Sequence, residues 1–130
     1  MTPDSIRSAI AVHINTSWTS TPIEFPNREK IPTGVAWIRP VVRMGETLEG
    51  EKGVDGLGLR SGLLMNSTFT PANVGNKTAL GYAGTFELLF RRRNIGGIMF
   101  GEPNTREVGN DPNGYYHVLT TVPFHAWVGE

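Results

Sequence analysis

The chain has 130 residues and a mass of 14.2 kDa, and its 12 Lys and Arg are matched by 12 Asp and Glu. That length predicts one domain, residues 1–130, able to bury roughly two thirds of the surface its unfolded form exposes. Zero net charge gives no field to hold DNA or anionic lipid, which disfavours a dedicated nucleic-acid binder. The absence of any run of about 18 apolar residues predicts no helical membrane span, and zero cysteines exclude disulfides and thiolate metal sites. With Gly at 16 and Pro at 9, many turns and a β-containing fold are expected.

Thr2 is a candidate N-cap, with Pro3 at the first helical position and Asp4 and Ser5 in the first turn. Ile6, Ala9, Ile10, His13 and Ile14 recur at helical spacing, so a helix should run to about Asn15–Ser17. His13 on that stripe reads as a helix-face histidine with a local partner rather than a ligand or base. Residues 1–7 lack the basic and then apolar regions of a secretory signal. Pro22, Pro26 and Pro32 then punctuate a stretch in which Pro22–Asn27 is extended and Arg28–Lys30 turns, with Trp18 and Phe25 as core anchors.

Gly34–Arg43 and Leu57–Phe69 are strand-like and form a long hairpin. Val35, Trp37 and Val41 fall on one side of the first strand, and Ala36, Ile38 and Val42 on the other. Pro40 inside that strand implies an unpaired side or a bulge. Between the two runs lies a glycine-rich loop, residues 45–56. It carries Glu46, Glu49, Glu51 and Asp55 against Lys52, a net charge of −3. Four glycines make it entropically costly to order, so the expectation is a mobile acidic tip on an arm suited to touching a neighbour.

Residues 71–76 form a loop, with Asn76 a candidate cap for the second helix. Ala79, Tyr82, Ala83, Phe86, Leu89 and Phe90 follow helical spacing closely. Gly81 and Gly84 weaken this helix but are expected to let it pack closely on a sheet. Arg91, Arg92 and Arg93 are expected in its last turn, where cations complement the helix dipole or form an anion site or subunit contact. Asn94–Gly97 ends the helix, Ile98–Pro103 is a short strand, and Gly109–Gly114 is a turn. The last strand, Tyr115–Phe124, puts Tyr116, Val118, Thr120, Val122 and Phe124 on one face, and Trp127 closes the chain. The fold class expected is α+β, a mainly antiparallel sheet with a long hairpin and two helices on one face.

Chemistry is hard to find in this pattern. No histidine, carboxylate and nucleophile group locally, and His117 and His125 have no short-spaced ligands to join them on a metal. Gly56–Gly62 departs from the dinucleotide fingerprint, because its third glycine comes one position late and a strand follows. Asn15–Ser17, Asn66–Thr68 and Asn76–Thr78 match the glycosylation pattern only as chance occurrences without a secretory signal. No catalytic, cofactor or metal residues are expected, and the profile is that of an assembly subunit.

Taken together, the N-terminal helix, Phe25-Pro26-Asn27, Trp37-Ile38-Arg39 opening a long strand, a strand from Gly62 to Thr70 leading to Pro71, a helix ending Leu89-Phe90 and a final strand into Val122-Pro123-Phe124 resemble the tail terminator (tail completion) proteins of long-tailed bacteriophages. Gly62–Asn66 departs from the more regular alternating strand of many such proteins, which bears on the register there. The resemblance implies a homohexameric ring in the virion, on the head-proximal end of the tail, assembled in the host cytoplasm. Its partners would be further copies of itself, the tail tube protein and the head-side connector or stopper. Genomic DNA would pass through without specific binding, and neither enzyme activity, cofactor nor membrane is implied. Glu46, Glu49, Glu51 and Asp55 are then expected at the lumen or between subunits, and Arg91, Arg92 and Arg93 against acidic groups of the next subunit. The alternatives are a stopper or adaptor on the connector and, from another class, a small-molecule-binding or enzymatic domain, which would need a pocket of converging polar groups.

Overall fold

The computed structural model describes residues 2–25, 35–49, 58–71, 76–112 and 114–128. Its elements in order are α1 (Pro3–Ser17), β1 (Trp37–Glu49), β2 (Gly58–Pro71), α2 (Asn76–Phe90), β3 (Asn94–Ile95), β4 (Ile98–Phe100), β5 (Asn104–Asn110) and β6 (Tyr115–Val128). The strands form one antiparallel six-stranded sheet in the order β1-β2-β6-β4-β3, with β5 also paired to β6. The fold is α+β, as the periodicities predict.

α1 starts where its capping residues place it. The Ser5 amide donates to Thr2 Oγ1 at 3.1 Å and the Thr2 amide to Ser5 Oγ at 2.9 Å, which satisfies two amides left free at the helix start. Ile6, Ile10, Ile14 and Trp18 point inward and join Phe86 and Phe90 of α2 above Ile38, Leu64, Val122 and Phe124 of the sheet. Both helices therefore lie on the same face. A smaller cluster packs Ala79 and Ala83 of α2 onto Val118. These alanines, not Gly81 and Gly84, are what bring α2 close to the sheet. Both glycines are exposed, with nothing within 4 Å of where a Cβ would stand.

β2 is central, paired along its whole length with β6 from Gly58↔Val128 to Pro71↔Tyr115. The register through Gly62–Asn66 is unbroken, although the sequence there departs from regular alternation. The hairpin is thus embedded in the sheet, and its described part is not an outstretched arm. β1 continues to Glu49, so residues 45–49 are strand where glycine and charge predict loop. A register shift between Met44 and Thr47 absorbs Gly45 and Glu46.

Pro40 fits because β1 is an edge strand. The Ile38 amide faces outward and donates to Pro22 O at 3.1 Å. Two residues on, the proline nitrogen faces that same outer side and costs no ladder bond.

Four expectations after α2 need correction. The arginines follow the helix rather than ending it, with Arg92 in the left-handed region at φ 52°. Residues 94–97 open a β-hairpin. Asn94 pairs with Met99 and Ile95 with Ile98 across Gly96 (φ 60°) and Gly97 (φ 92°), the two positive angles such a two-residue turn requires. The hairpin partner of β6 is β5, which the polar run Asn104–Asn110 hides in a predicted turn region. Trp127 lies within β6, which runs to Val128.

Candidate functional site

Among the described residues, the helices cover one face of the sheet and leave the other open. The register arranges the open face in rows across the strands. Trp37, Phe69 and His117 form one, and Arg39, Ser67, Leu119 and Arg106 the next. Val41, Met65, Thr121 and Asn104 follow, then Arg43, Leu63 and Pro123, and beyond them Ser61, His125 and Met99.

The first row is a stack. The Trp37 and Phe69 rings lie 4.2 Å apart at 18°, and the Phe69 and His117 rings 4.5 Å apart at 16°. Tyr115 stands edge-on to both Trp37 and Phe69. Arg39 sits over Trp37 and Phe69 at 5.0 and 5.4 Å, a cation–π arrangement, while Glu24 Oε1 holds its Nε at 3.3 Å. Burial lowers the pKa of His117, and the positive charges of Arg39 and Arg106 act the same way against Asp111. Burial thus favours the neutral ring, which packs as an aromatic plate, and among the described residues its Nε2 is buried without a hydrogen-bond partner.

Further along, Leu63, Met65 and Leu119 make an aliphatic stripe over β2 and β6, with Leu63 40% exposed. Arg39 and Arg43 border it on β1 and Arg106 on β5. Among the described residues Arg43 and Arg106 have no carboxylate partner, and the open-face positions of these strands bear none. A chain of zero net charge therefore carries a locally cationic face.

The opposite face of β2 and β6 has a polar seam beneath α2. Asn66, Thr68, Thr70 and Thr120 are fully buried. Thr105 donates to Glu87 and receives from Thr120 Oγ1 at 3.1 Å. Asn66 Nδ2 reaches Thr68 Oγ1 at 3.5 Å, while among the described residues Asn66 Oδ1 and Thr70 Oγ1 have no partner.

The predicted site residues fall in two places. The backbone of Glu46 and Glu49 belongs to the distal end of β1, while their side chains, and the whole of Glu51 and Asp55, lie outside the described residues. Arg91, Arg92 and Arg93 form a knuckle after α2. Arg91 Nη2 meets Glu102 Oε1 at 2.8 Å and Arg92 Nε meets Glu102 Oε2 at 2.6 Å. The hydrogen bond from Arg92 and the two positive charges hold the Glu102 carboxyl below its ordinary pKa. Two of the three arginines are thus satisfied within the chain, and among the described residues Arg93 has no carboxylate.

His13 has the structural role expected of it. Its Nε2 donates to Leu89 O at 2.9 Å and its ring stands edge-on to Phe90 at 5.0 Å. No group of three or more His, Cys, Asp or Glu that could hold a metal occurs among the described residues, and none of their helices is long and apolar enough to cross a membrane.

The open-face arginines were not singled out by sequence. Arg39 and Arg43 alternate with Trp37 and Val41, which signals a shared face but not that helices leave it uncovered. Arg106 gave no signal, because β5 has no apolar alternation of its own.

Neither a family model nor a curated protein matches the chain. A solved structure that bears no functional name is similar over 97% of this chain and 96% of its own, with a TM-score of 0.71 and 16% identity. At that identity the likeness shows the fold alone: two helices on an antiparallel six-stranded sheet, spanning nearly the whole of both chains.

Proposed function

We propose that this chain is a structural virion protein of the tail-terminator type. It forms a ring, a homohexamer, on the head-proximal end of a bacteriophage tail tube. The ring stops tube polymerisation and offers the joining surface for the head-side connector, while genomic DNA passes through without specific binding. The sequence resemblance motivates this proposal. The observation that carries it is the one-sided fold, with both helices sealing one sheet face and the other, among the described residues, left open, aliphatic and cationic.

Such a surface works by shape and charge against another protein. A ring needs one patch to meet a different patch on the next copy, and in this chain the open face and the net −3 segment supply two unlike patches. In that assembly Glu46, Glu49, Glu51 and Asp55 belong to the lumen or to the subunit contact. Of the post-helical arginines, Arg93 is the cation left to a neighbour.

The test is electron microscopy of tails assembled with and without the protein. Tubes should overrun their normal length in its absence and stop at that length when it is supplied. Tubes of equal length in both preparations refute the proposal. Binding to purified connector protein but not to tube ends would move the chain to the stopper position.

A further inference from the structure

We infer that the open sheet face is the receiving surface for the acidic 46–55 segment of a second copy, centred on Arg106. This rests on the ring proposal and names its contact.

The first support is charge. Residues 46–55 hold four carboxylates and one lysine. The open face bears Arg39, Arg43 and Arg106, of which Arg39 is already held by Glu24. Between the cations runs the aliphatic stripe of Leu63, Met65 and Leu119. Opposite charge at the margins of a partly apolar surface fixes which segment binds and in what register.

The second support is reach, which excludes the segment's own Arg106. Eight residues, 50–57, join Glu49 to Gly58. Anchored at both ends and at most about 3.6 Å per residue, they can extend only about 16 Å from the end of the sheet, whatever path they take. Arg106 shares a row with Ser67 and Leu119, nine residues along β2 from Gly58. At about 3.4 Å per residue that row lies about 31 Å from the hairpin end. A chain's own segment falls short of its own Arg106, so only another copy can supply it. A patch meeting a different, distant patch is the head-to-tail geometry that closes into rings.

The third support is that β1 is ill suited to joining copies by its edge. Pro40 has no amide to offer there, Arg7 Nη2 occupies Val42 O at 3.3 Å, and the ladder shifts at Met44–Thr47. Edges treated this way discourage strand addition along β1; of the sheet's other edges, β3 is two residues long and β5 carries Arg106 itself.

The absence of native cysteine makes the test direct. Full-length Val54→Cys and Asn104→Cys variants, one carrying a mass tag, keep the segment's carboxylates and Arg106 and are mixed and mildly oxidised. A Ser8→Cys variant on exposed α1 replaces Asn104→Cys as the collision control. The 54–104 disulfide should form about tenfold or more faster than the 54–8 disulfide, reflecting a raised effective concentration. Equal rates overturn the inference. Arg106→Glu should abolish the mass of the assembly, and Glu51→Lys with Asp55→Lys in the same chain should restore it.

The outcomes separate the two proposals. A sixfold mass without preferential 54–104 linkage keeps the ring and refutes this contact. Preferential linkage in a protein that leaves tube length unchanged keeps the contact and refutes the tail assignment. If a DNA duplex binds the parent but not Arg106→Glu and suppresses the linkage, the face takes nucleic acid and the inference fails.

Discussion

Replacing Gly62 by alanine isolates the packing constraint at the centre of the sheet. Gly62 lies in β2 between β1 and β6, directly opposite Phe124. A Cβ built there stands 2.5 Å from Phe124 Cζ and closer still to the carbonyl oxygen of Arg43. Neither neighbour yields easily. The carbonyl is β1 backbone, and the Phe124 ring is 3% exposed and packed against Phe100 at 5.8 Å. Overpacking a tight site costs about 1–3 kcal/mol. With two rigid neighbours we expect the upper end, about 3 kcal/mol. For 130 residues, an unfolding entropy near 2.1 cal/mol/K per residue converts this to a fall in Tm of about 11 °C. Urea unfolding of Gly62→Ala, Phe124→Leu and the double variant forms the assay. Leucine removes the ring edge that the new methyl meets, so the double variant should be at least about 1 kcal/mol more stable than the two single losses predict. Gly62→Ala within about 0.5 kcal/mol of the parent refutes the reasoning, since that is the effect of an ordinary surface change.

Two further outcomes follow from the same coordinates. Gly81→Ala and Gly84→Ala, in the exposed interior of α2 with open space at both Cβ positions, should each raise stability by about 0.5–1 kcal/mol in urea unfolding; destabilisation by either would mean that the glycine face of α2 is not free. His117 has a folded pKa depressed below its ordinary 6.5 by burial. The unfolded chain therefore binds the proton more readily, and stability present above pH 6.5 is lost as pH falls from there through the folded value. Comparing urea midpoints at neutral and acid pH, the parent should lose more than His117→Phe, which keeps a ring against Phe69, and equal losses refute it.

Where local pattern and tertiary environment agree, the sequence predicts the element. α1 is legible because Thr2, Pro3 and Ser5 mark its start and Ile6, Ile10 and Ile14 supply an uninterrupted stripe. β6 is legible because Val118, Thr120, Val122 and Phe124 alternate with less buried residues and the helices cover that side. β5 is different. Asn104–Asn110 has one aliphatic residue, Val108, which falls in the register shift between Glu107 and Gly109. The segment is a strand because β6 offers a ladder, not because of its own composition. The distal end of β1 is a similar case: Gly45, Glu46 and Glu49 favour a loop, yet pairing of Thr47–Glu49 with Gly58–Arg60 carries the strand onward. The candidate site was half legible. Alternation grouped Trp37, Arg39, Val41 and Arg43, but only the placement of both helices on the other side leaves that group exposed as a surface.

The balance of forces on the open face bears on how copies would join. Exposed ion pairs contribute about 0.2–1 kcal/mol each and weaken with salt, so arginines and carboxylates alone cannot hold a stable ring. The aliphatic stripe must supply affinity, at about 25 cal/mol per Å² of apolar area removed from water, while the charges select the partner and its register. Much of the aromatic area is already committed: Trp37 is 9% exposed and Phe69 6%, so the stack stiffens the sheet rather than offering itself. What remains exposed on this face is Leu63, Met99 and, toward the hairpin end of β6, Trp127 at 52%, with Met65 and Leu119 half-buried among them. In the proposed ring each copy would use this face once as receiver and its acidic segment once as donor, so that closing the circle gives every subunit two contacts at once.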